Sequence, residues 1–316
     1  MALHWMRRAC LAAAGAAALL LASCGGGTVE SKFSPERVVA FGDGMGDLGQ
    51  NGRRYTVNDG GMNNWTAFVA SAYDRGLAAT SQGGTSYAWG NARVTARPDA
   101  AGNSATPTVE EQVSSFLSSG GPAENDLILV SAGTSDVITQ VRLAMEGSQT
   151  SDDMLTNVKQ AGRDLAEQVK RLVSAGAKHV VLAGPYDLGR SPWARQIGSD
   201  ALLNPASTAF NNALLVALVD QGANVLFVDA ALYFNQQTAD GSNSVANHVD
   251  AVCTSVDPGP GIGTGNGQVN SNLCTPATIP AGVDYNTYLF ADRVYPTPRG
   301  HTLFGDYARG RISQRW

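Results

Sequence analysis

Residues 37–47 read RVVAFGDGMGD, an apolar run that passes directly into a glycine-rich turn. A short, continuous apolar run bounded by glycine is typical of a strand that is buried on both faces. Residues 126–131 (DLILVS), 179–183 (HVVLA) and 223–229 (ANVLFVD) have the same character. Strands of this kind belong to a parallel sheet that helices cover on both sides.

Segments with helical periodicity lie between these strands. The clearest one begins with Ser151, Asp152 and Asp153, which can cap a helix start and give it negative charge, and carries apolar side chains at a period near 3.6 from Met154 to Val173. The other predicted helices are residues 63–75, 108–117, 206–219 and 298–311. The alternation predicts an α/β fold, a three-layer α/β/α sandwich with a parallel, flavodoxin-like sheet. Chemistry in such folds lies beyond the carboxyl ends of the strands, where residues 42–47 and 133–136 are placed.

The first residues have the pattern of an export signal. Arg7 and Arg8 precede an apolar stretch over residues 9–22, which is too short for a membrane span and ends in small residues. This predicts a signal peptide at residues 1–23. The sequence LASC ending at Cys24 resembles the bacterial lipobox, in which the cysteine becomes the lipid-modified first residue; a plain signal peptide with a chance cysteine is the alternative.

If Cys24 carries the lipid, residues 24–36 begin at the anchor. This segment has three glycines directly after the cysteine, and we expect it to be a flexible tether. Gly25 after the cysteine, where an Asp would retain a lipoprotein at the inner membrane, favours the outer membrane of a Gram-negative cell. The expected location is therefore the cell envelope, with membrane contact through the lipid anchor only.

Charge excludes two classes of partner. The whole chain has 22 Lys and Arg against 27 Asp and Glu, and loss of Arg7 and Arg8 with the signal leaves 20 against 27, a net charge of −7. This balance, without any basic run, argues against nucleic acid and against electrostatic docking on anionic lipid.

Two cysteines remain in the mature chain besides the one at the lipobox. Cys253 and Cys274 would be in a compartment that permits disulfides, so we expect a disulfide, with a free buried pair as the alternative. A zinc site is not expected, because His248 is the one histidine nearby. Both cysteines lie in residues 235–283, a long insertion crowded with Gly, Asn, Ser, Thr and Pro. Such a loop is either a lid over the strand ends or a surface insertion held by the disulfide.

Four blocks resemble the SGNH, or GDSL, esterases and lipases, in the family's order and over residues 37–311. They are residues 41–47 (FGDGMGD), 86–92 (SYAWGNA), 133–136 (GTSD) and 292–297 (DRVYPT), similar to the family's FGDSLSD, NYAxGGA, GxND and DxxHPT. The resemblance implies a single SGNH-type domain over residues 37–316 with ester hydrolysis as the family activity.

The residues at the family's site positions depart from its pattern. The resemblance places Gly44 at the serine nucleophile, Ser135 at the asparagine that donates to the oxyanion and Tyr295 at the histidine base. Two positions match the family pattern: Gly90 is at the glycine that donates its N–H to the oxyanion, and Asp292 is at the aspartate that orients the base. Gly44 has no side chain to attack with, and a tyrosine with an ordinary pKa of about 10 is protonated at neutral pH. Loss of a nucleophile or base in such a triad costs about 10⁶ in rate.

We therefore expect a cell-envelope lipoprotein that has lost serine hydrolysis. It would bind an ester, lipid or acylated glycan through the backbone N–H groups of Gly44 and Gly90, with room left by the missing side chain at Gly44. No cofactor and no metal are expected.

Two alternatives remain open. One is an active ester hydrolase that uses water directed by Asp292 or His301, or a displaced serine (Ser86, Ser131 or Ser135). His301 is a weak candidate, since its place in the first turns of the last helix favours a packing role. The other is a structural or interaction protein whose pocket is filled by Tyr295 and its neighbours.

Overall fold

The computed structural model describes residues 33–239, 241–242 and 244–316. The predicted signal peptide, Cys24 and most of the predicted tether lie outside the described residues. The strands are β1 (Arg37–Gly42), β2 (Asp126–Ser131), β3 (His179–Ala183), β4 (Val225–Phe227), β5 (Asn247–Ala251), β6 (Val256–Asp257), β7 (Gln268–Val269) and β8 (Tyr288–Phe290). The helices are α1 (Trp65–Ala72), α2 (Val109–Ser118), α3 (Thr134–Met145), α4 (Ser151–Ser174), α5 (Pro192–Ile197), α6 (Asp200–Ala217), α7 (Ala230–Gln237) and α8 (Pro298–Arg315).

The main sheet is parallel, with strand order β1-β2-β3-β4. Residues 85–89 extend it beyond β1, because the backbone N–H of Tyr87 donates to the carbonyl of Ala40 at 2.7 Å and that of Trp89 donates to Gly42 at 3.1 Å. The segment that follows β1 in sequence thus lies on its outer side, while β2, β3 and β4 follow on the other. This is the order of a flavodoxin-like sheet.

Both faces of this sheet are covered. All six residues of β2 and five of the six in β1 are buried, which requires packing from above and below. The helices form two packing groups: α1 and α7 contact α8, whereas α2, α3 and α6 contact α4. The predicted α/β fold with a parallel sheet is confirmed.

Helix α3 was not predicted from the sequence, although its apolar residues Val137, Ile138 and Val141 have helical spacing. Its first eight residues, Thr134 to Val141, are all buried, including three polar ones at its start. Helix α6 begins at Asp200, earlier than the predicted 206, because Pro205 lies inside the helix rather than at its first turn. The other predicted helices are present with ends shifted by a few residues.

Residues 235–283 form a packed insertion. It contains β5, which pairs with β8, and the antiparallel pair β6 and β7. The Cys253–Cys274 disulfide is present and lies with Val57, Val252 and Ala291 in a small second core. Among the described residues, no helix has the length and apolar character needed to cross a membrane.

We expect the disulfide to stabilise the fold through the loop that it closes. Its cysteines are 21 positions apart, and a loop of that size is worth about 3 kcal/mol in the chain-entropy account. Replacing both cysteines by serine should lower the free energy of urea-induced unfolding by about that amount. As a control, adding reductant should lower the free energy of unfolding of the wild type by the same amount and leave that of the double variant unchanged. A wild type that is insensitive to reductant would contradict this.

Candidate functional site

The turn after β1 depends on Gly42. Its φ is +141°, and a Cβ at this position would overlap the carbonyl oxygen of Ser131 on the neighbouring strand. The side-chain amide of Gln112 bonds both backbone groups of Gly42, accepting from its N–H and donating to its carbonyl, each at 2.9 Å. The chain therefore leaves β1 in one fixed direction, across the carboxyl edge of the sheet.

Asp43 joins the first and third sequence blocks. Its carboxylate is fully buried and accepts from the N–H of Met45 at 3.0 Å and of Thr134 at 2.9 Å. Burial raises the pKa of Asp43 to about 7, although these backbone donors act in the opposite direction. The carboxyl thus holds the turn against the first residues of α3.

The ring of Tyr295 occupies the space in which a side chain at position 44 would lie. A Cβ on Gly44 would be 2.6 Å from Cζ of Tyr295 and 2.7 Å from its hydroxyl oxygen. Both residues are buried, and the Tyr295 side chain is completely so. The expectation that Gly44 leaves room for a ligand is therefore wrong, because the larger residue at the base position fills that room.

Tyr295 is unsuited to accept a proton. Burial, together with the carboxyl of Asp43, holds the pKa of its phenol well above the ordinary value of 10. Ser135 lies close enough to lower that pKa somewhat, but neither its hydroxyl nor that of Tyr295 makes a hydrogen bond of standard geometry with a described residue. Ser135 is buried beside the ring and presents no donor to an open cavity.

Gly90 has its N–H already bonded. It donates to Oδ2 of Asp47 at 2.9 Å, while Oδ1 of the same carboxylate accepts from Gly49 and Gln50. Tyr55 covers the other side: a Cβ on Gly90 would overlap its ring, which lies 5.1 Å from the Tyr295 ring, centroid to centroid. Burial raises the pKa of Asp47 to about 6. The N–H that resembles an oxyanion donor is thus used within the protein.

Sequence reasoning missed Tyr55 and Asp47. Asp47 belongs to the quoted turn, and carboxylates often accept from the backbone N–H groups two and three residues later. Its bond to Gly90 spans 43 residues and has no local signal. Tyr55 lies in a polar, glycine-rich stretch without periodicity, so nothing in its spacing indicated a place in this site.

Asp292 is fully buried and binds backbone groups. Its Oδ1 accepts from the N–H of Val294 at 2.8 Å and of Tyr295 at 2.7 Å, and its Oδ2 accepts from Ser271 at 3.0 Å. These bonds connect the fourth block with the disulfide-bearing insertion. Burial raises the pKa of Asp292, and no base is among the groups that it binds.

Neither His301 nor His179 completes a catalytic set. His301 lies buried in the first turns of α8, and its Nδ1 accepts from the backbone N–H of Trp65 at 3.4 Å. Burial lowers its pKa to about 3, so the ring is neutral and fixes the start of α1. The displaced-serine candidate Ser86 has a hydroxyl without a partner in the described part of the chain. His179 begins β3, at the opposite end of the sheet.

The described residues contain no group of three or more His, Cys, Asp or Glu side chains placed to hold a metal ion. The four blocks thus meet at one place, the carboxyl edge of the sheet. There, two tyrosine rings and three backbone-binding carboxyls form a packed, buried centre.

A comparison with known proteins identifies the family to which this chain belongs. A family model described as GDSL-like Lipase/Acylhydrolase matches residues 38–308. Among solved structures, one crystal structure is similar to this chain with a TM-score of 0.43 and 15% identity, covering 89% of this chain and 98% of the other. No curated protein shows a significant match.

We expect the Tyr295→Phe and Asp292→Ala variants to differ in stability. Removing a buried hydroxyl that lacks a partner should leave the free energy of unfolding unchanged or raise it by up to about 1 kcal/mol. Asp292→Ala leaves three buried N–H groups without acceptors and should cost about 3 kcal/mol or more. Urea unfolding measures both. A loss in Tyr295→Phe as large as that in Asp292→Ala would contradict the packing role given to the ring.

The raised pKa of Asp43 predicts a pH dependence. Its folded pKa of about 7 exceeds the unfolded value of 3.8, so the folded state binds more protons between those values. The contribution of this carboxyl to stability is therefore present at low pH and is lost as the pH rises to about 7. The stability advantage of the wild type over Asp43→Asn should shrink across that range and stay constant above it. His301, whose pKa shift acts in the opposite direction, is common to both proteins and cancels. A difference that is constant from about pH 4 to 7 would contradict the shift.

Proposed function

Because the chain belongs to the GDSL-like lipase/acylhydrolase family, we propose that it is a member in which serine hydrolysis has been lost, and that it acts in the cell envelope by binding. The ligands that this family relationship suggests are an ester, a lipid or an acylated glycan. The sequence pattern of residues 1–24 supports export and a lipid anchor at Cys24, with the outer membrane as the proposed location.

One observation carries the loss of hydrolysis: the Tyr295 ring lies where a nucleophile on residue 44 would be. Position 44 has no attacking group, and the residue at the base position is an aromatic ring whose proton is held tightly. An attacking hydroxyl requires a base within hydrogen-bond reach. Neither member of such a pair is at the family positions here.

Binding through the N–H groups of Gly44 and Gly90 would require Tyr295, Tyr55 and Asp47 to move. Interaction through another surface requires no such movement. The packed centre therefore favours, as a second candidate, an interaction protein for which the family fold is a scaffold.

The test is hydrolysis of aryl esters of short and long acyl chains by the mature protein. Wild type should remain at background, because the reacting groups are absent. The triple variant Gly44→Ser, Ser135→Asn, Tyr295→His should show turnover that Asp292→Ala removes from it. Turnover by the wild type that Asp292→Ala abolishes would overturn the proposal in favour of a hydrolase with a displaced nucleophile or a directed water.

The single variant Gly44→Ser should gain no activity and should lose stability, since its Cβ would meet the Tyr295 ring. Gly46→Ser is the matched control on the same turn, because its Cβ would be 3.3 Å from the nearest heavy atom, the Cβ of Ala88. We expect Gly44→Ser to be destabilised by about 1–3 kcal/mol more than Gly46→Ser in urea unfolding. Equal stabilities of the two variants would contradict the steric conflict.

A further inference from the structure

An open groove runs along the surface between α4 and α6, away from the packed centre. The two helices approach closely at Gly162, where a Cβ would overlap the carbonyl oxygen of Phe210. The open groove above this contact has a volume of about 750 Å³. That volume lies within the usual range for cavities that bind small molecules.

The floor of the groove is apolar and narrow. Pro205, Ala209, Ala213 and Ala217 repeat once per turn along α6, and Leu155 adds an apolar side chain from α4. The α6 residues that line it extend over 14 positions, from Asn204 to Ala217, a length of about 20 Å at 1.5 Å per residue. Small side chains in line make a trough that suits a linear apolar chain.

Exposed apolar surface continues at one end of this trough. Val216, which lines it, is 76% exposed, and Val219 beyond the end of α6 is 85% exposed. Val219 thus extends the apolar surface of the trough beyond the end of α6.

Positive charge lies along the α4 side. Lys159 and Arg163 are exposed, one helical turn apart, and no ion pair involves either of them among the described residues. Arg163 donates to the neutral amide of Gln160, and the nearby acidic Glu167 is paired with Lys170. The opposite side carries the neutral polar side chains of Thr208 and Asn212.

We propose that this groove binds a long-chain fatty acid. Its carboxylate lies between Lys159 and Arg163, and its hydrocarbon chain lies along the alanine floor. Two adjacent cations beside an otherwise uncharged apolar floor match a ligand with one anionic end and a long apolar remainder. This site is separate from the family centre and does not depend on whether that centre has lost hydrolysis.

The experiment is a fluorescence titration of the mature chain carrying Cys24→Ser, which keeps the rest of the mature chain and avoids detergent. The probe is cis-parinaric acid, displaced by palmitate. We expect saturable binding to the wild type. In the double variant Lys159→Gln, Arg163→Gln the affinity should fall about tenfold, because two charge contacts with the carboxylate are lost and each accounts for part of the decrease. Methyl palmitate, which lacks the charge, should compete equally well in both proteins. Lys178→Gln, an exposed lysine outside the groove, is the matched control and should leave the affinity unchanged.

A second variant fills the trough without changing charge. Ala213→Phe should abolish saturable binding of cis-parinaric acid, with an unchanged circular dichroism spectrum as evidence of folding. Absence of saturable binding to the wild type, or binding that neither variant changes, would overturn the proposal. The proposal would also be overturned if the protein did not bind palmitate but bound anionic vesicles or an acidic helical peptide, and if that binding depended on Lys159 and Arg163. The ester-hydrolysis assay is unaffected by either result, so this inference and the proposed function fail separately.

Discussion

The contact of the Tyr295 ring with the bare Cα of Gly44 is the constraint on which the carboxyl edge of the sheet depends. The ring lies at the meeting point of the turn after β1 and the turn before α8, and it touches no solvent. Any side chain at position 44 would clash with the ring, whereas a smaller side chain at position 295 would leave a cavity. The two residues that depart most from the family pattern are therefore complementary in shape.

The buried carboxyls around this contact bind backbone groups. Asp43, Asp47 and Asp292 together accept from eight backbone N–H groups, most of them in loops. Buried carboxyls of this kind are costly unless hydrogen-bonded, and here they hold together the loops that follow the strands at the carboxyl edge of the sheet. Asp292 bonds the disulfide-bearing insertion to the turn before α8. A residue that the family uses to orient a base thus has a structural role in this chain.

Much of the fold followed from sequence pattern, whereas the state of the site did not. The apolar runs of β1, β2 and β3 and the stripe of α4 are local signals, and each element is where its pattern predicted. Helix α3 was not predicted: its first eight residues are all buried, polar ones included, so burial there does not follow the apolar pattern of the sequence. At the site, the sequence indicated which groups are missing from Gly44, Ser135 and Tyr295. It did not indicate that Tyr295 and Tyr55 fill the space, because that depends on contacts between residues far apart in the chain.

The shared space of Gly44 and Tyr295 also limits the routes by which this chain could change. Serine at position 44 is blocked while the tyrosine ring is present, and histidine at position 295 alone would leave a void over a glycine. Each single substitution is therefore unfavourable by itself, although the two together would be sterically compatible. In terms of sequence change, positions 44 and 295 are therefore coupled: a serine at the first and a smaller residue at the second should be tolerated together more readily than either one alone.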